Sequence, residues 1–165
     1  DQKRGSFYML TNILGGGGMN SRLNMALRER HGFVYSIGAQ FIPFTDTGLF
    51  MISFGTEPFQ MKKSIELVRI ELQKMRDQPM GVNQLAAAKE QLLGQIAMAE
   101  ESNINFMIMM ARNLLDLGKV TRLEEMFERV KNTTAAKLQE LSIEMFDEDK
   151  FSYLIMEPSQ TNGTH

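Results

Sequence analysis

Cysteine is absent from this chain of 165 residues, and histidine occurs only as His31 and His165. Without cysteine there is no thiolate ligand, and the redox compartment is left open. Two histidines so far apart in sequence, with no helical His pair, do not supply the three protein ligands of a catalytic zinc site. An excess of one charge is lacking too. Eighteen Lys and Arg stand against twenty Asp and Glu, a formal net charge of −2. That argues against nonspecific nucleic-acid binding, which needs several uncompensated cations near phosphates. Arg22, Arg28 and Arg30 do cluster, but a short basic stretch on one helix reads as a solvated face. No apolar run reaches about 18 residues, so no membrane span is expected. Neither nucleic acid nor membrane is therefore expected as a partner.

What the chain does have is a run of four glycines, Gly15, Gly16, Gly17 and Gly18, between an apolar helical stretch and a basic one. Glycine opens left-handed and tight backbone geometries, so a helix can begin abruptly after the run. The neighbours narrow its use. A phosphate-binding P-loop ends in Gly-Lys-Ser/Thr, whereas Met19-Asn20-Ser21-Arg22 follows here. A dinucleotide fingerprint needs a strand before its first glycine, and Ser6 to Leu14 reads as helix. A small nucleotide-binding module is weakened on both counts, and a helix C-cap with a turn is the plain alternative.

Composition fits one domain, with 43% hydrophobic and 23% charged residues. Phe7, Leu10, Ile13 and Leu14 recur at helical spacing, and Asn20 or Ser21 suits the cap of a second helix that ends at Gly32. Phe33 to Pro43 and Leu49 to Gly55 read as strands of a hairpin, with turn chemistry at Thr45 to Gly48. Pro58 fits the first turn of a helix whose stripe is Ile65, Val68, Leu72 and Met75, and Pro79-Met80-Gly81 breaks it. Helical patterns follow from Val82 through Ala99, Ile104 to Leu117 with Gly118 as a stop, Arg122 to Val130, and Thr134 to Phe146. A short strand from Phe151 to Met156 is expected last. Met107, Met109 and Met110, in an apolar helical stretch, read as adaptable core packing. Glu100 and Glu101 point about 100° apart on a helix and read as a solvated face.

The segment Leu14 to Ser36 resembles the second, non-catalytic domain of the insulinase and pitrilysin-like zinc metallopeptidases. That family shows Leu-Gly-Gly, a short loop, Ser-Arg-Leu, then Leu-Arg-Glu, Gly, an apolar pair and Tyr. Here these are Leu14-Gly15-Gly16, Ser21-Arg22-Leu23, Leu27-Arg28-Glu29, Gly32, Phe33-Val34 and Tyr35. Asp46 to Phe50 is similar to the family's strand entry, and Ala88 to Leu92 to its long-helix signature. The family's inverted zinc motif, His-x-x-Glu-His, is missing.

The resemblance implies an α+β fold, an antiparallel sheet packed against helices, metallopeptidase-domain-like and lacking its first strand. Residues 1–158 would form one non-catalytic peptidase domain, a fragment of a larger chain, with a disordered tail over 159–165. Asp1-Gln2-Lys3-Arg4 is neither a signal peptide nor a usual protein start. A sheet without its opening strand would present a bare edge, so homodimers are possible partners. The implied function is to close over an extended peptide held against a zinc-bearing N-terminal domain or separate catalytic subunit. Zinc would sit in that partner, with none in this fragment. A catalytically inactive scaffold or assembly subunit is the alternative.

The resemblance also singles out Arg28 and Tyr35, seven positions apart, as substrate-binding residues reaching toward the other domain. Arg offers a fixed fork of donors to a peptide carbonyl or carboxylate, and a Tyr hydroxyl can donate to an oxyanion. The competing reading puts Tyr35 on the alternating face of Phe33, Ile37 and Phe41, as core, and Arg28 in solvent.

Overall fold

The apolar positions of the first helical pattern form α1, Lys3–Gly15, with Leu10 and Leu14 completely buried. A computed structural model describes residues 3–44, 46–100, 103–118, 120 and 122–157. After the glycines the chain forms a π-helical turn, Asn24–Glu29, in place of a regular α-helix. The antiparallel hairpin follows, β1 Val34–Pro43 with β2 Gly48–Thr56, and is the whole sheet among the described residues. Pro58 opens a short 3₁₀ turn that leads into α2, Met61–Asp77. The remaining helices are α3 Val82–Glu100, α4 Asn103–Leu117, α5 Leu123–Lys131 and α6 Ala135–Met145.

The hairpin lays Ile37, Ala39 and Phe41 of β1 and Phe50, Ile52 and Phe54 of β2 on the helices, as period-2 alternation requires. Phe7 of α1 stacks on Phe41 at 5.2 Å, and Phe50 meets the buried Phe146 at 5.3 Å. Leu23, just before the π turn, and Ala26 and Leu27 within it join Val68, Leu72 and Met75 of α2 and Leu138 and Leu141 of α6 in one core. The result is an α+β domain, mostly helical, with its antiparallel sheet packed on helices.

Four expectations need correction. None of Gly15 to Gly18 has a positive φ; that conformation occurs at Gly32 (61°) and Gly118 (68°). Gly15 is needed instead for close approach, since a Cβ there would lie 2.6 Å from the Ala39 nitrogen in β1. Neither Asn20 nor Ser21 caps the next helix with its side chain: Asn20 Nδ2 donates to Gln91 Oε1 at 3.0 Å. Phe151 to Met156 pairs with no strand, and none forms there. A strand is stabilised by its ladder partner, and β-propensity alone does not supply one. Finally, Met107 is 63% exposed and Met109 and Met110 are half-buried, because α4 packs on the domain through few residues and leaves Ile104, Leu114 and Leu115 in solvent. The expected tail 159–165, His165 and Glu101 lie outside the described residues.

Candidate functional site

Arg28 lies in the last turn of the π helix, and its carbonyl accepts the Gly32 N–H at 2.9 Å. Gly32, at φ 61°, reverses the chain at little steric cost, which is the usual service of glycine just past a helix end. The Phe33 N–H then reaches back to the Leu27 carbonyl at 2.9 Å, so the link between helix and strand is fixed by backbone bonds. His31 is held there too, with Nδ1 2.6 Å from the Ala26 carbonyl and its ring against Phe33. Leu27 is completely buried while Arg28 is exposed, so the core holds the backbone and leaves the guanidinium in solvent. Among the described residues that guanidinium has no hydrogen-bond or ion-pair partner.

Tyr35 stands at an irregularity in the ladder. Val34 pairs with Thr56 but Ser36 pairs with Gly55, so Tyr35 is the extra residue of a β-bulge. A bulge shifts the alternation by one, and such features re-aim side chains. Val34 is buried on one side of it and Ile37, Ala39 and Phe41 face inward on the other, while Tyr35 and Ser36 both point out. Tyr35 is 66% exposed and is no core residue. Its hydroxyl donates to Glu57 Oε1. That bond, foremost, raises the phenol pKa above its ordinary value, so Tyr35 remains a protonated donor at neutral pH.

The structure places Arg28 and Tyr35 at the two ends of the helix-to-strand link and forms no hydrogen bond between their side chains. The glycine run lies against other partners. Gly15 abuts β1 at Ala39, and the space a Gly18 Cβ would need is filled by the Asn20 and Gln91 side chains. Asn12 Nδ2 to Gln95 Oε1, at 2.6 Å, adds a second amide bond from this region to α3. Sequence reasoning missed Glu57, Gln91 and Gln95. The four-residue spacing of the two glutamines on one helix face was a usable signal; nothing in the sequence marks the Glu57 contact, which depends on the bulge. A surface hollow of about 500 Å³ lies elsewhere, where Arg22 and Lys74 border the α2–α3 turn at Gln78, Pro79 and Gly81. Neither Arg28 nor Tyr35 lines it.

No group of three or more His, Cys, Asp or Glu that could hold a metal exists among the described residues, and the donor set here does not fit a zinc ion. Fold and site thus define an α+β domain without a metal-binding set of its own among those residues. The chain belongs to the family described as the peptidase M16 inactive domain, which matches residues 1–92. That family is the inactive half of zinc proteases.

The chain is 28% identical over 151 residues to the uncharacterized zinc protease YmxG of Bacillus subtilis (strain 168), a match spanning 92% of this chain and 36% of that protein. It is 26% identical over 139 residues to the mitochondrial-processing peptidase subunit alpha of Caenorhabditis elegans, covering 78% of this chain and 27% of the relative. Its fold is similar to the peptidase M16 inactive domain from Pseudomonas fluorescens, with TM-score 0.76, 22% identity, and 87% of this chain against 34% of that one. A protease from Helicobacter pylori matches in fold with TM-score 0.73 at 16% identity, over 89% of this chain and 35% of that one. The chain spans about a third of the length of the curated relatives it matches first.

Proposed function

We propose that this domain is the substrate-binding, non-catalytic half of a zinc-dependent metalloendopeptidase, closing over an extended peptide held against a zinc-bearing partner domain. The observation that carries the reading is the bulge at Tyr35, which turns a phenol out of the core face and into solvent. Two features then favour contact with a peptide. Arg28 offers a fork of donors that has no partner among the described residues. Tyr35 offers a protonated hydroxyl to the oxygen that gains charge when a peptide carbonyl is attacked. Zinc belongs to the partner, where it supplies Lewis-acid chemistry; this chain's residues bind and orient the peptide.

The test is Tyr35→Phe in the complete protein. Loss of an oxyanion donor typically lowers turnover by about 10² to 10³. Thermal melting of the same sample should be unchanged, because the hydroxyl lies outside the core. A wild-type kcat would remove the reading. The exposed apolar residues of α4 favour a second one, an inactive scaffold or assembly subunit of the same fold. In that case Tyr35→Phe leaves assembly untouched and substitutions on α4 impair it.

A further inference from the structure

Glu57 is the first residue after β2. Its neighbour Thr56 is paired with Val34, and the Thr56 hydroxyl donates to the Phe33 carbonyl at 2.5 Å, so Glu57 emerges directly beside the bulge. Pro58 follows and restricts Glu57 to extended backbone, observed at φ −67°, ψ 145°. The carboxylate is therefore delivered to Tyr35 by a strand end and a proline, both stiff. It is exposed, and among the described residues it makes no ion pair; the Tyr35 hydroxyl is its side-chain partner.

A phenol carries one proton, and donation to Glu57 excludes donation elsewhere. Any use of Tyr35 on a bound peptide is consequently an exchange of acceptors. Bonds to charged acceptors are roughly twice as strong as neutral ones, so a neutral peptide carbonyl competes poorly with the carboxylate. An oxygen that has gained negative charge competes on equal terms. We propose that Glu57 is a positioning residue that keeps the Tyr35 hydroxyl occupied in the resting domain and yields it only to a peptide oxygen that has become anionic. The contact is then withheld from the bound ground state and made in the transition state, the condition under which binding energy raises turnover. This inference rests on the reading of Tyr35 as a substrate contact.

The experiment compares wild type, Glu57→Gln, Tyr35→Phe and the double variant in the complete protein. Fluorescein-labelled unstructured casein peptides report binding to metal-free protein by anisotropy, and their cleavage in the zinc-loaded protein reports KM and kcat. Glu57→Gln should tighten peptide binding and lower KM by about two- to tenfold, the range of one neutral hydrogen bond regained. The gain should vanish in the Tyr35→Phe background. Absorbance titration, with Tyr35→Phe as the difference, should show the Tyr35 phenol ionising at lower pH once Glu57 is Gln; unchanged ionisation overturns the proposal. An equal gain with and without the Tyr35 hydroxyl, or no gain while Tyr35→Phe still lowers kcat, overturns the role of Glu57 alone. If Tyr35→Phe changes neither kcat nor the response to Glu57→Gln, the substrate-contact reading falls and this inference falls with it.

Discussion

Gly15→Ala tests why the glycine run exists. Two explanations compete: backbone freedom, which the run suggests as sequence, and close approach of α1 to β1. An added Cβ at position 15 would meet the Ala39 nitrogen at 2.6 Å, the Ala39 Cβ at 2.7 Å and the Gly38 carbonyl carbon at 3.1 Å. Two of these three are backbone atoms of a strand whose ladder fixes them, so α1 must retreat from the hairpin. Overpacking of that kind costs about 1–3 kcal/mol. Part is offset, because alanine restricts the unfolded chain by about 0.4–1 kcal/mol wherever its native φ is allowed, and φ at Gly15 is not positive. The net expectation is a loss of up to about 2.5 kcal/mol, and each kcal/mol lowers Tm by roughly 2–4 °C in a domain of this size. Gly17 is the internal control. Nothing lies within 4 Å of its would-be Cβ, so Gly17→Ala should keep or slightly raise Tm. Urea unfolding with an unchanged slope would assign both effects to stability. Equal responses at the two positions, in either direction, would refute the close-approach explanation.

Three other outcomes are expected. Thr134 caps α6 by accepting the Lys137 N–H at 3.2 Å, so Thr134→Ala should cost about 1 kcal/mol in chemical denaturation, and an unchanged midpoint would count against the cap. Lys150, 3.0 Å from Asp147, is the main cause holding that carboxyl below the ordinary carboxylate value. A depressed folded-state pKa gives stability that is present above the unfolded value and lost as pH falls through the folded one. Any stability gap between wild type and Lys150→Met should therefore be open at neutral pH and close below the ordinary carboxylate range, and NMR titration should show the Asp147 pKa rising in the variant; a pKa that does not move counts against the pairing. The two-stranded sheet leaves strand edges unpaired among the described residues, so the chain by itself should form concentration-dependent dimers. Light scattering from a strict monomer at high concentration would oppose this.

Helices and hairpin were legible because burial imposes a period. Val68, Leu72 and Met75 had to share a face of α2, and Pro79 to Gly81 had to interrupt the run between α2 and α3. Periodicity says which side chains are apolar together, not what covers them. Met107 of α4 therefore reads as core and is mostly exposed, and Phe151 to Met156 reads as a strand and finds no ladder. The π turn was illegible for a related reason: Leu23 before it and Ala26 and Leu27 within it fit a period of 3.6 as well, whereas the Arg30 N–H to Met25 carbonyl bond at 3.1 Å shows the wider winding.

The candidate site turns on a smaller quantity, one residue of register. Continued from Ile37 and Phe41, alternation puts Tyr35 inside; counted from the buried Val34, it puts Tyr35 outside, and strand pattern alone cannot choose. Two neighbours border the extra residue. A Cβ on Gly55 would meet the Tyr35 ring at 3.9 Å, an ordinary contact, so the bulge does not demand glycine there. The Thr56 hydroxyl takes the Phe33 carbonyl at 2.5 Å, so a side chain satisfies an acceptor at the end of the ladder. Neither residue announces the bulge in the sequence beforehand. The consequence for function is that the direction of the phenol depends on a local backbone irregularity at the end of the ladder, while its freedom to donate depends on Glu57, the residue that follows Thr56.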